Sequence, residues 1–127
     1  MKLALYHSHL THANGYGFME STQALLAALR LTGCSLCLYP DLPHTPLPGG
    51  WDRFDSGRTP ECWLASTARH EQTPLMPTGW RILRTMFEAG PIHPLWLRRF
   101  GQYDDLWVPG PHSRDLLIQG GIPQEKI

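Results

Sequence analysis

Leu3-Ala4-Leu5-Tyr6, Asn14-Gly15-Tyr16-Gly17 and Cys34-Ser35-Leu36-Cys37-Leu38-Tyr39 frame one run of sequence, and the pattern of that run decides the fold. The first and last stretches are short, apolar and β-like. Between them Phe18, Thr22, Leu25, Leu26 and Leu29 recur at helical spacing, Ala24, Ala27 and Ala28 add helix propensity, and Gly33 is placed to end the helix. Strand, glycine-bearing turn, helix and strand fit the length of one βαβ unit, about 30 residues. A helical crossover of this kind makes its two strands parallel neighbours.

Working outward, the segment from Pro40 to Pro60 carries Pro43, Pro46, Pro48, Gly49, Gly50 and Gly57, and no apolar period survives that density of breakers. It reads as a long loop holding Trp51 and Phe54, which could stack on a ligand ring or pack the loop down. Beyond it, Cys62–Ala65 and Arg81–Phe87 read as a third and fourth strand, and Pro94 opens a short helix with Leu95, Trp96, Leu97 and Phe100. Asp105–Pro109 is a fifth strand. Gly110 and Pro111 suit the N-cap and first position of a last helix, which buries Leu116, Leu117 and Ile118 and stops at Gly120-Gly121. The expected class is therefore α/β, a doubly wound, mostly parallel sheet with helices on both faces, in one domain spanning residues 1–127.

Composition narrows the function. Eleven basic side chains balance eleven acidic ones, which removes the electrostatic footprint of a nucleic-acid binder, so no nucleic-acid partner is expected. The apolar start breaks at His7, too early for a signal-peptide core, and no stretch reads as a transmembrane segment. The three cysteines lack the spacing of a disulfide scaffold, so a reducing, cytoplasmic setting is expected.

The motifs are short. Gly15-x-Gly17 before a helix could present backbone N–H groups to an anion or could be a plain tight turn, and the third glycine of a dinucleotide fingerprint is missing. His7, His9 and His12 cluster after the first strand, without a nearby acid or thiol to complete a metal site. They are better placed to line a cleft. Cys34-x-x-Cys37 has redox or zinc spacing, but it falls within a strand rather than at a helix start, so both are expected to be reduced and metal-free. No Gly-x-Ser-x-Gly elbow marks a hydrolase nucleophile.

From Arg81 onward the chain resembles the close of the N-terminal domain of retaining glycosyltransferases of the GT-B fold (glycosyltransferase group 1). The residues that carry the resemblance are Thr85-Met86-Phe87-Glu88, Trp96, Asp105-Leu106-Trp107-Val108-Pro109 and Gly120-Gly121-Ile122-Pro123-Gln124-Glu125-Lys126-Ile127. The first βαβ unit is similar to the family's opening. Gly110 stands where the family usually has Ser, and His93 where it often has Pro. The resemblance implies a Rossmann-like half of a GT-B fold, and transfer of a sugar from a nucleotide-sugar donor to an acceptor hydroxyl with retention. It implies no cofactor and no bound metal. In relatives the donor is gripped by a second, C-terminal domain, which is absent from residues 1–127, so this chain alone is expected to be inactive. Substrate contacts are expected at Gly15, Tyr16, Gly17 and Glu88, the last as the end of the fourth strand; no catalytic residue is assigned. The competing reading is a free-standing α/β ligand-binding or regulatory module, although the acidic cluster of a receiver domain and the Ser/Thr-rich phosphate loop of a flavodoxin are both missing.

Overall fold

Parallel strands buried on both faces must be apolar on successive residues, and Cys62-Trp63-Leu64-Ala65-Ser66 is such a run, with every residue buried. It forms the centre of the sheet. A computed structural model describes residues 1–7, 16–39, 52–53, 60–67, 79–86 and 90–127. In it β1 (Lys2–His7), β2 (Ser35–Tyr39), β3 (Asp52–Arg53), β4 (Cys62–Ser66), β5 (Trp80–Arg84) and β6 (Asp105–Trp107) make one sheet in the order β3-β2-β1-β4-β5-β6. All five neighbouring pairs are parallel. Strand order runs one way from β1 to β3 and the other way from β4 to β6, so the direction of winding reverses between β1 and β4.

Among the described residues three α-helices complete the layers: α1 (Tyr16–Leu31), α2 (Pro94–Phe100) and α3 (Pro111–Gln119). Side chains alternate across a strand, and the two cores follow that alternation. Leu3, Leu5, Cys62, Leu64 and Ile82 point to one face, where Leu25, Leu26 and Leu29 of α1 meet them. Ala65, Leu83 and Leu106 point to the other, under Phe100 of α2 and Leu117 of α3. Helices therefore lie on both faces, as the sequence pattern requires.

The ends of the elements are set by identifiable groups. Gly33 ends α1 with φ of 78°, its N–H donating to the Arg30 carbonyl at 3.0 Å. His93 caps α2: its Nδ1 accepts from the Leu95 N–H at 3.2 Å. Gly110 and Pro111 do take the N-cap and first position of α3. Lys126, in a 3-10 turn at Gln124–Lys126, donates from Nζ to the carbonyls of Gly101 (3.2 Å) and Tyr103 (2.9 Å), just past the end of α2. A cation there satisfies helix-end carbonyls and meets the negative end of the dipole. That gives Lys126 a structural role.

Edge strand β6 is held at its start by two clasps. The Trp80 indole N–H donates to Asp105 Oδ2 at 2.7 Å, and Arg81 exchanges bonds with Asp104, N–H to Oδ2 and carbonyl to N–H, both at 2.8 Å. At the entry to β5, Gly79 has φ of 84°, and a Cβ on it would lie 2.9 Å from the Glu61 carbonyl oxygen. Left-handed backbone costs a residue with a side chain about 1–2 kcal/mol, before the collision with backbone is counted. Gly79→Ala should therefore destabilise the fold by about 2 kcal/mol or more, read as a lower midpoint in urea at unchanged slope.

Three sequence expectations need correction. The fourth strand ends at Arg84, not Phe87, because its neighbours β4 and β6 stop at Ser66 and Trp107, the residues opposite Arg84, and the Thr85 N–H makes a last bond to the Trp107 carbonyl (3.0 Å). Ile118 is exposed: α3 turns only one stripe inward, and Leu117 with half-buried Leu116 fills it. The stretch read as all loop contains β3, too short for any apolar period, paired to β2 through Cys37–Asp52 and Leu38–Arg53.

Candidate functional site

Register puts His7, Ser66, Arg84 and Trp107 side by side across β1, β4, β5 and β6 at their carboxyl ends. Ser66 and Arg84 belong to the α1 face, because they continue the row Leu64, Ile82 by two residues. Apolar residues fill the row where α1 covers it. At the rim the row turns polar, and α1 answers with Ser21 and Thr22. Thr22 and Ser66 are fully buried, and their hydroxyl oxygens lie 3.0 Å apart. Arg84 Nη1 donates to Thr22 Oγ1 at 3.1 Å and to Ser66 Oγ at 3.2 Å, and Nη2 bonds Ser21 Oγ.

This cluster satisfies two buried hydroxyls whose burial would otherwise cost about 1–3 kcal/mol each. It also fixes a guanidinium in place. Burial pushes the Arg84 pKa below its ordinary value, yet an arginine stays protonated at neutral pH. A positive charge is thus held at the carboxyl rim of a parallel sheet, beside the point where strand order reverses, which is where open α/β sheets bind their ligands.

A cavity of about 170 Å³ opens there, lined by Ser21, Arg84, Thr85, Met86, Trp107, Val108 and Pro109. Met86 and Trp107 are exposed at 38% and 37%, so an apolar wall faces solvent next to the charge. Among the described residues the lining has no carboxylate, imidazole or thiol to act as a general base.

Of the substrate-binding residues expected from sequence, Tyr16 and Gly17 are the first two residues of α1, whose first turn contains no acidic residue. They lie on the same helix as Ser21 and Thr22, little more than one turn earlier. Gly15 and Glu88 lie outside the described residues, as do His9, His12, Trp51 and Phe54. Glu88 does not end the fourth strand, which stops at Arg84. His7 closes β1. Sequence reasoning missed Arg84, Ser21 and Ser66, which come together only through the fold.

Cys34 and Cys62 take no part in the rim. Cys62 is buried, Cys34 is half-buried just before β2, and both are free thiols. Burial first, then the charges of Asp105 and Asp104 and the Cys34 thiol, push the Cys62 pKa from 9.0 up to about 11. Native Cys62 should thus react with iodoacetamide at pH 8 about 100-fold more slowly than an ordinary thiol, because the thiolate is the nucleophile. Since the pKa is raised on folding, the stabilising effect is complete below pH 9 and is lost as pH rises through about 11. Peptide mapping after timed alkylation checks the rate, and fast labelling of Cys62 at pH 8 would contradict this environment.

Among the described residues no group of three or more His, Cys, Asp or Glu is placed to hold a metal ion, and no helix is long and apolar enough to cross a membrane. Compared with protein-family models, curated proteins and solved structures, the chain matches none.

Proposed function

We propose that this chain is the acceptor-side, N-terminal half of a two-domain, retaining glycosyltransferase, a Rossmann-like half of a GT-B fold that works with a donor-binding domain. One observation carries the reading. The two family-like stretches, Thr85-Met86 and Trp107-Val108-Pro109, are separated in sequence by α2 and most of β6 and converge on one cavity with Arg84. The strand order β3-β2-β1-β4-β5-β6 is that of a doubly wound nucleotide-binding sheet, and the cavity lies at its carboxyl rim.

The chemistry follows from what each wall supplies. Helix α1 presents its N-terminal N–H groups at Tyr16 and Gly17, which favour the donor's diphosphate. Arg84 and the hydroxyls around it orient the acceptor. The donor domain supplies the remaining grip, and holding both substrates in one geometry is the source of rate. The cavity's lack of a base among the described residues suits a wall that positions substrate.

The test compares this chain with the same chain fused to the donor domain of a retaining glycosyltransferase, both incubated with a panel of nucleotide sugars and hydroxyl acceptors. Transfer by the fusion and none by the chain alone is the expected result. Turnover by the chain alone would end the half-enzyme reading, and tight binding of a small regulator with no transfer by any fusion would favour the free-standing module.

A further inference from the structure

Helix α1 covers its face of the sheet over β1 and β4 as far as Ile82 of β5, while α2 and α3 lie on the other face. Beyond Ile82, two large aromatic side chains face solvent: Trp80 is 54% exposed and Trp107 37%. A second cavity, of about 310 Å³, opens there beside α1, with Leu29, Cys62, Leu64, Trp80, Ile82 and Trp107 in its walls. The bare strip is one five-residue strand long, about 17 Å, and two strand spacings wide, about 10 Å. An area of about 170 Å² is far below the roughly 800 Å² per partner that a stable dimer needs, so the strip suits a small guest better than a second copy.

The walls favour a neutral aromatic guest. The Trp80 indole N–H donates to Asp105 Oδ2 at 2.7 Å, which holds the ring in place and leaves its faces to apolar contact. At the exposed edge of the cavity the Met1 amine and the Glu61 carboxylate pair with each other at 3.9 Å. Burying a charge among leucine, isoleucine and indole is costly, whereas ring-to-ring contacts add to the gain from buried area. A cavity of roughly 150 Å³ holds one benzene molecule, so about twice that volume takes two fused rings.

We propose that this cavity binds a neutral, flat, bicyclic aromatic group, held between Leu29 of α1 and the two indoles, over Leu64 and Ile82. Among the described residues it shares only Trp107 with the rim cavity, and it stands whether or not the chain transfers sugar. Titration of the labelled chain with indole, indoleacetate and cyclohexanol, followed by nuclear magnetic resonance, tests this. Indole should bind at least about tenfold more tightly than either of the others, and should move the side-chain N–H signals of Trp80 and Trp107 most among the tryptophans. Leu29→Trp fills the cavity from α1 and should weaken indole binding at least about tenfold, with circular dichroism and the urea midpoint close to those of the parent. Trp107→Leu, at a more exposed position, removes one aromatic wall and should weaken it about fivefold or more. Equal affinity for indoleacetate or cyclohexanol, unmoved Trp80 and Trp107 signals, or unchanged affinity in either folded variant would overturn the proposal. So would a stable dimer on sedimentation that excludes indole, which would assign the face to a second copy. Sugar transfer by the fused enzyme is a separate measurement, so failure of indole binding leaves the glycosyltransferase reading as it stands, and failure of transfer leaves this site.

Discussion

Phe100→Ala should lower the unfolding free energy by about 3–5 kcal/mol, the range for removing a fully buried aromatic ring. Phe100 is the last residue of α2 and is completely buried, among Leu83 and Leu106 of the sheet and Leu117 of α3. Its ring is the largest fully buried side chain among the described residues, and it joins three elements at once. Alanine would leave a cavity that none of them can close alone, because α2 is fixed at its start by the His93 cap and beyond its end by Lys126. Domains of this size have about 5–15 kcal/mol in total, so the variant should sit near its folding threshold. Urea denaturation followed by tryptophan fluorescence gives the value. A loss under about 1 kcal/mol would mean that α2 does not pack on the sheet as described.

Gly17→Val, made in the fused two-domain enzyme, should lower sugar transfer by about 10–100-fold with little change in stability. Gly17 is the second residue of α1, where backbone N–H groups have no partner within the helix. If those groups approach the donor's diphosphate, a branched side chain beside them holds the phosphates off. Within a helix glycine is a poor former, so valine there is neutral or mildly favourable to folding, and a loss of rate reports ligand approach rather than unfolding. The rate of transfer at saturating acceptor, measured beside thermal melting of both proteins, decides it. Unchanged transfer would remove the helix start from the donor site.

The parallel strands were legible because fully buried strands need continuous apolar runs, and Leu3–Tyr6, Leu36–Tyr39 and Cys62–Ala65 lie within β1, β2 and β4 as read. Helix α1 was legible through its period: Thr22 and Leu26 are buried and Leu25 and Leu29 half-buried on the stripe predicted. Proline and glycine marked the starts of α2 and α3 for a local reason, since fixed φ and an extended N-cap act within two residues. Asp52–Arg53 was illegible because two residues carry no period, and pairing to β2 alone makes them a strand. Arg84 was illegible as a site for a different reason. Its meaning lies in Ser21 and Thr22, more than sixty residues away, and short-range spacing cannot show that α1 lays those hydroxyls over the end of β5. Thr22 shows the same gap from the other side: its helical position was clear, but its polar partner Ser66 emerges only when β4 takes its place in the sheet.

The central claim is that function resides at the carboxyl rim of the sheet, and backbone amide chemical shifts measured during titration of the labelled chain with nucleotide sugars and a panel of sugar acceptors test it most directly. The account predicts shifts concentrated at Tyr16, Gly17, Ser21, Thr22, Ser66, Arg84, Thr85, Met86, Trp107 and Val108, which surround the cavity and the start of α1. Shifts centred instead on the opposite rim, at Glu61, Trp80 and Asp104 where β4, β5 and β6 begin, would contradict it.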